Sequence, residues 1–378
     1  MKKFLVFLTL FAFLAGPILH VPETQAASES KTQSSKSKSD KAKSKAKAKA
    51  KSKAKLKAKS KSKKVSAKSD NKRSQAKRYV QAPLPPLRAL SMVTPETLLE
   101  QELDLRSSAA LVVDQKSGAA LYAKNIDVPT SIASITKLMT AMVTLDAGLA
   151  LDEEIVVGEE DVDRLKGTGS RLALGTRLSR AELMHLALIA SENRAAAALS
   201  RAYPGGRIAF VAAMNRKARE ISMNDSRFVD GTGLNSGNRA TAADLVKMVN
   251  AAYRYPLIRE ISATGSYDVS LPGTQVVQVR MNGKLRKEYR SVQRHVAFNN
   301  TNSLTRSEDW DIGVSKTGFI NEAGHCLVMQ TKIADQRVII VLLDSIGKWG
   351  RIGDAQRIRK WLEHDSPMAV RKSLDRAT

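Results

Sequence analysis

The chain has 378 residues, 62 Lys and Arg against 37 Asp and Glu, a net charge of +25 and one cysteine, Cys326. A single thiol excludes an internal disulfide framework, so any folded part must be stabilised by packing. Beyond the N-terminus no apolar run reaches membrane-spanning length, which excludes a polytopic membrane protein.

Residues 1–27 carry Lys2 and Lys3, the apolar run FLVFLTLFAFLAGPIL, and then ETQAAS with small residues Ala26 and Ala27. This three-part pattern predicts a cleaved export signal. A membrane anchor is the competing reading, and Gly16 and Pro17 within a short run count against it. Residues 28–78 are almost entirely Lys, Ser and Ala, and positions 31–78 hold 19 Lys and 2 Arg against Asp40 and Asp70. That block carries +19 of the chain's +25 and too little apolar surface to fold alone. It reads either as a polyanion-binding arm, for anionic wall polymers, lipid or nucleic acid, or as a solvated spacer. In an exported protein nucleic acid is the least favoured of these partners. Residues 79–94, with QAPLPPLRAL, predict a stiff proline-rich linker. The folded part is placed at 95–365, followed by a polar tail, 366–378.

Within the folded part, SSAALVVDQKSGAALYAKN (107–125) predicts a β-hairpin around QKSG. PTSIASITKLMTAMVTLD (129–146) repeats Ile135, Leu138, Met139, Met142 and Val143 at helical spacing, giving a helix with one buried face. SRAELMHLALIASENRAAAALSRAY (179–203) predicts two helices joined by a corner at SEN. Helices follow at 207–223 and 241–253, with a Gly/Asn-rich loop between them. Residues 266–298 alternate around Asn282-Gly283, the strongest short hairpin signal in the chain. WDIGVSKTGF, HCLVMQTKI and RVIIVLLD read as three consecutive strands, and 351–364 as a closing helix. A strand pair, a helical middle, then strands and a last helix argue for an α+β fold. In it a mostly antiparallel sheet is flanked by helices, with a helical subdomain inserted.

Three short patterns carry chemistry. Ser134 and Lys137 are three positions apart on a helix, so their side chains are neighbours. A lysine desolvated there loses proton affinity and can accept the serine proton. Ser191 to Asn193 form SEN at the interhelical corner, and Lys316 to Gly318 form KTG on a strand. Each pattern alone has an ordinary structural explanation, a cap, a turn or a strand end. Their order and settings together match the set S-x-x-K, S-D-N and K-T-G of penicillin-binding proteins and class A β-lactamases. Adjacent His325 and Cys326 point to opposite faces of a strand and cannot share a metal. With no H-E-x-x-H and no paired C-x-x-C, neither metal nor other cofactor is predicted. GTGSRLALG (167–175) reads as a plain turn region and GLNSGN as a loop bordering a groove.

Across 95–365 the sequence resembles the low-molecular-mass penicillin-binding proteins that act as D-alanyl-D-alanine carboxypeptidases and endopeptidases. SITKLMTAMV, SENRAAAALSRAYPGG, FVDGTGL, FNNTNSL and KTGFINEAGHCLVM carry the likeness, and the second and last of these look most like the endopeptidase branch. The polar end of the chain, without an amphipathic anchor, favours the same branch. The Lys-rich tail and the long basic hairpin at 266–295 depart from the usual pattern.

The resemblance implies a β-lactamase/DD-peptidase-like fold and a periplasmic serine peptidase that binds penicillin and hydrolyses D-Ala-linked cross-links of peptidoglycan. The alternatives are a carboxypeptidase acting on monomeric pentapeptides, or a wall-binding protein with a vestigial peptidase domain. A β-lactamase fits less well, because nothing marks an efficient deacylation base. By resemblance Ser134 is the nucleophile, with Lys137 its base and Ser191 a proton relay. A nearby positive charge, assigned to Lys316, helps to keep Lys137 neutral. Asn193, Lys316, Thr317 and Gly318 bind substrate, and the backbone N–H groups of Ser134 and Phe319 form the oxyanion hole. Peptidoglycan stem peptides are the implied substrate, and β-lactam antibiotics the implied covalent inhibitors.

Overall fold

Strand β1 (Ser107–Asp114) is buried at seven of its eight positions, as expected for a strand covered on both faces. The computed structural model describes residues 103–364. The predicted export signal, Lys-rich tail, proline linker and C-terminal tail lie outside the described residues. Strand β2 (Ala120–Lys124) completes the first hairpin, and β3 (Thr130–Ser131) leads through a 3-10 turn, Ala133–Ile135, into α1 (Thr136–Asp146). The middle contains β4 (Glu154–Val156), β5 (Arg177–Ser179), α2 (Arg180–Ile189), α3 (Asn193–Arg201) and α4 (Gly206–Glu220). Then come β6 (Arg239–Ala240), α5 (Ala242–Ala252), α6 (Pro256–Ala263) and the long hairpin of β7 (Ser266–Met281) and β8 (Lys284–Asn299). The chain returns through β9 (Asp311–Ile320), β10 (Gly324–Ile333) and β11 (Gln336–Ser345) to α7 (Gly350–His364).

Five strands form one sheet in the order β2-β1-β11-β10-β9, every neighbouring pair antiparallel. Alternation along these strands makes two cores. Leu111, Val113, Val328, Ile339, Val341 and Leu343 face the helices of the middle section. Val112, Leu327, Met329, Ile340 and Leu342 pack against Ala355, Ile358, Trp361 and Leu362 of α7. The closing helix is pinned by buried Asp354, whose carboxylate accepts from the Arg106 N–H, from the Ser107 N–H and hydroxyl, and from Arg357. The antiparallel α+β arrangement expected from the order of elements is the observed one.

Three local readings change. The segment around Ser134 is not a continuous α-helix, because Ala133 takes φ +47° and the chain turns once as 3-10 before α1 begins. α1 is buried on every side from Thr136 to Thr144, not on the single face its periodicity predicts. Its threonines make this possible: Thr140 donates to the Gly231 carbonyl and Thr144 to the Thr140 carbonyl, so no hydroxyl is stranded. The β4–β5 pair and α6 were not legible, being three, three and eight residues long.

Candidate active site

The 3-10 turn holding Ser134 sits against the free edge of β9, the outer strand of the sheet. Two glycines set that approach. A Cβ on Gly318 would lie 2.8 Å from the Ile132 carbonyl oxygen and 3.2 Å from the Ser134 nitrogen. On the other side, a Cβ on Gly233, whose φ is +81°, would lie 2.0 Å from the Ala133 carbonyl oxygen. The Ala133–Ser134 peptide is thus held between two backbone segments that tolerate no side chain. Thr136 donates to the Ala133 carbonyl at 2.7 Å and in turn receives Asn238 Nδ2–H at 3.0 Å, which fixes the turn from behind.

Lys137, in the first turn of α1, is completely buried. Its Nζ lies 2.7 Å from Ser134 Oγ, 2.8 Å from Asn193 Oδ1 and 2.6 Å from the Thr232 carbonyl oxygen. Burial lowers its pKa to about 7, against the opposing pull of Asp230, Glu192 and Asp163. A neutral amine has two N–H donors and one lone pair. With the donors satisfied by Asn193 and Thr232, which can only accept there, the lone pair is left for the Ser134 hydroxyl.

Lys316 is also fully buried and donates to Ser191 Oγ at 3.0 Å and to the Thr317 carbonyl at 2.9 Å. Its pKa is held well below the usual lysine value, first by burial, then by the charges of Lys137 and Arg351. The repulsion between the two buried amines is mutual, so protonation of one disfavours protonation of the other. Ser191 takes φ +60° at the corner between α2 and α3, a left-handed conformation rare for serine, which brings its hydroxyl to Lys316.

Every residue predicted for the site therefore lies around one crevice: Ser134 and Lys137 on the floor, Ser191 and Asn193 on one wall, Lys316 to Phe319 on the other. Several participants were not predicted. Thr168 accepts from Asn193 Nδ2–H at 2.9 Å, and Ser170 donates to Glu192 Oε2 at 2.7 Å, so residues 167–175 brace the corner rather than forming a plain turn. Asp230 accepts from the N–H groups of Thr232, Gly233 and Asn235, shaping the loop that delivers the Thr232 carbonyl. Thr317 donates to Thr301 Oγ1 at 2.6 Å. Exposed Phe319 stacks on His325 at 4.3 Å between centroids, and the His325 ring meets Arg351 Nη1 at 2.6 Å. Cys326, on the opposite face, is buried with its thiol pKa pushed up to about 11 and is chemically quiet. A cavity of about 640 Å³, lined partly by Asn193, Thr232, Asp163 and Leu165, opens beside the crevice. FVDGTGL and FNNTNSL, which hold Asp230 and Thr301, carry the family likeness without revealing these contacts, and the loop holding Thr168 has no motif, because a hydroxyl or carbonyl partner is chosen by tertiary contact.

Comparison with known proteins finds similar chains over the described region. Residues 96–347 match the model of the D-alanyl-D-alanine carboxypeptidase peptidase family. A D-alanyl-D-alanine endopeptidase of Pseudomonas aeruginosa is 42% identical over 276 residues, 73% of this chain and 83% of that protein. One from Escherichia coli is 41% identical over 267 residues, 71% of this chain and 80% of its own length. Among solved structures, penicillin-binding protein D2 of Listeria monocytogenes in its ampicillin-bound form superposes with a TM-score of 0.54 at 26% identity, covering 68% of this chain and 96% of that one.

Proposed function

The chain belongs to the D-alanyl-D-alanine carboxypeptidase family of serine peptidases, and on that premise we propose that it is a periplasmic DD-endopeptidase that opens D-Ala-linked cross-links of peptidoglycan through an acyl-enzyme on Ser134. The observation that carries the residue assignment is the 2.7 Å approach of Lys137, fully buried and lowered in pKa by that burial, to the Ser134 hydroxyl. The periplasmic assignment rests on the export-signal pattern of residues 1–27 and on where cross-linked stem peptides are found.

Ser134 Oγ attacks the carbonyl carbon of the D-Ala that forms the cross-link as its proton passes to Lys137 Nζ. The carbonyl oxygen, now negative, is held by the N–H groups of Ser134 and Phe319, a donor pair whose loss of one member typically costs about 10²–10³ in rate. Collapse breaks the peptide bond. The proton leaves Lys137 by way of Ser191 and reaches the departing amine, and water then hydrolyses the Ser134 ester. Asn193 orients the substrate amide, while Lys316 and Thr317 hold the donor strand against the β9 edge. Gly318 lets that strand come close. The cavity beside Asn193 gives room for the second stem peptide, which only a cross-linked substrate has. A β-lactam opens on the same serine; its cleaved amine stays tethered, so the adduct persists.

The competing activity is removal of the terminal D-Ala from a monomeric pentapeptide. Purified protein offered a cross-linked muropeptide dimer and a pentapeptide monomer, with products weighed by mass spectrometry, separates the two. Release of monomers from the dimer is expected. Loss of one alanine from the pentapeptide, with the dimer untouched, overturns the endopeptidase assignment.

The Lys-rich segment 28–78 is assigned to anionic wall polymers or lipid, on its charge alone. Its deletion is expected to weaken salt-sensitive retention on isolated sacculi while leaving penicillin labelling unchanged. Retention unaffected by both deletion and salt reduces it to a spacer.

A further inference from the structure

The β7–β8 hairpin is rooted in the body only at its base. Val269, Leu271 and Phe298 are buried, Tyr267 stacks on His185 at 4.3 Å, and the Arg171 guanidinium lies 3.6 Å from the Phe298 ring centroid. From Pro272 to Ala297 no residue is buried. Ten residues separate Leu271 from the end of β7, a reach of about 30 Å at strand spacing. An isolated two-stranded ribbon is marginal in water and leaves both edges unpaired.

Four of the eleven large apolar side chains exposed among the described residues lie toward this far end: Val276 at 52%, Met281 at 56%, Leu285 at 66% and Tyr289 at 69%. Met281 adjoins the Asn282-Gly283 turn, and Leu285 follows Lys284 on its other side. Cations are interleaved with them. Arg280 is paired across the ladder with Leu285, Lys284 with Met281, and Arg286 and Lys287 follow, opposed by Glu288 alone, which Arg290 neutralises at 3.3 Å. This charge repels a second copy of the same arm and so disfavours edge-to-edge pairing. A polyanionic wall chain would satisfy the cations and leave the aliphatic tip in water. A bilayer bearing anionic headgroups satisfies both, with cations at the phosphates, Tyr289 at the interface and the aliphatic tip below it.

We propose that the β7–β8 hairpin is a membrane-docking arm that inserts Met281 and Leu285 into an anionic phospholipid surface, with Arg280, Lys284, Arg286 and Lys287 on the headgroup phosphates. β8 runs directly into Asn300–Asn302, where Thr301 receives the Thr317 hydrogen bond. The arm is therefore rooted in one wall of the catalytic crevice, and docking holds that crevice at a set height above the bilayer.

Cys326 is buried and is the only cysteine, so a fluorophore attached to Leu285→Cys reports the tip alone. With the full chain carrying an environment-sensitive NBD label there, phosphatidylglycerol-containing vesicles should raise emission about threefold with a blue shift, and pure phosphatidylcholine should not. Lipid-borne quenchers should extinguish that signal. In the unlabelled chain, Met281→Ser with Leu285→Ser should lower partitioning onto the anionic vesicles about tenfold, and unchanged penicillin labelling will show that the fold is intact. A tip that stays in water while the protein binds vesicles through its Lys-rich tail overturns the proposal. Arm-dependent retention on lipid-free sacculi, or arm-dependent dimerisation without lipid insertion, does the same.

Discussion

Lys137 is surrounded by acceptors, and that surrounding decides when it can work. Above its pKa of about 7 the amine is neutral and its lone pair faces Ser134; below it the ammonium offers a third N–H and cannot take a proton. Acylation by a penicillin should therefore rise with pH through about 7 and level off above it. Stopped-flow labelling between pH 5 and 9 measures this, and a flat profile would remove Lys137 as the base. Lys137→Met should cost about 10²–10⁴ in acylation rate. The same shift has a thermodynamic sign. The ordinary lysine value of 10.5 falls to about 7 for Lys137 in the folded protein, so between those values the unfolded chain binds more protons and raising the pH favours folding through this group. Ser134, Lys137, Ser191, Asn193 and Lys316 to Gly318 are legible in the sequence because each motif lies within four consecutive residues. The Thr232 carbonyl and the Thr168 hydroxyl are not, because every residue has a carbonyl and any surface loop has threonines.

At the scale of elements, the 3-10 turn before α1 shows how a backbone detail positions chemistry. Ala133 at φ +47° is a conformation most residues avoid, and it persists because Gly233, Gly318, Thr136 and Asn238 hold the peptide on all sides. Gly233→Ala should break this arrangement at its tightest contact, since the new Cβ would meet the Ala133 carbonyl oxygen at 2.0 Å. We expect far-UV circular dichroism to be kept and penicillin acylation to fall about 10²-fold, the loss associated with a misplaced reacting group. Acylation at the wild-type rate would mean that the pinch does not position Ser134. The long strands and the Asn282-Gly283 turn are readable because two-residue alternation and φ > 0 turn chemistry are local signals. β4 and β5 span less than two periods each, and the left-handed Ala133 has no signature, since its conformation is imposed largely by Gly233, Asn238 and Gly318, far away in the sequence.

For the whole molecule, the sheet joins the first described strand to the last: β1 pairs with β11 over its full length, and α7 covers the face away from the site. The other face carries the helices, and the crevice opens where the β9 edge meets the turn before α1 and the corner between α2 and α3. This explains why three weak motifs, separated by up to 182 positions from Ser134 to Lys316, act as one unit. The antiparallel order was legible from the succession of strands and helices, whereas the buried Asp354 anchor was not, because an aspartate on a polar helix reads as solvated. The account depends most directly on Ser134 being the atom acylated. Incubation with benzylpenicillin, digestion with trypsin and mass analysis test it at one position. The antibiotic's mass should appear on the peptide of residues 125–137 in the wild type and be absent from Ser134→Ala, whereas an adduct on another peptide, or equal labelling of both proteins, would contradict the assignment.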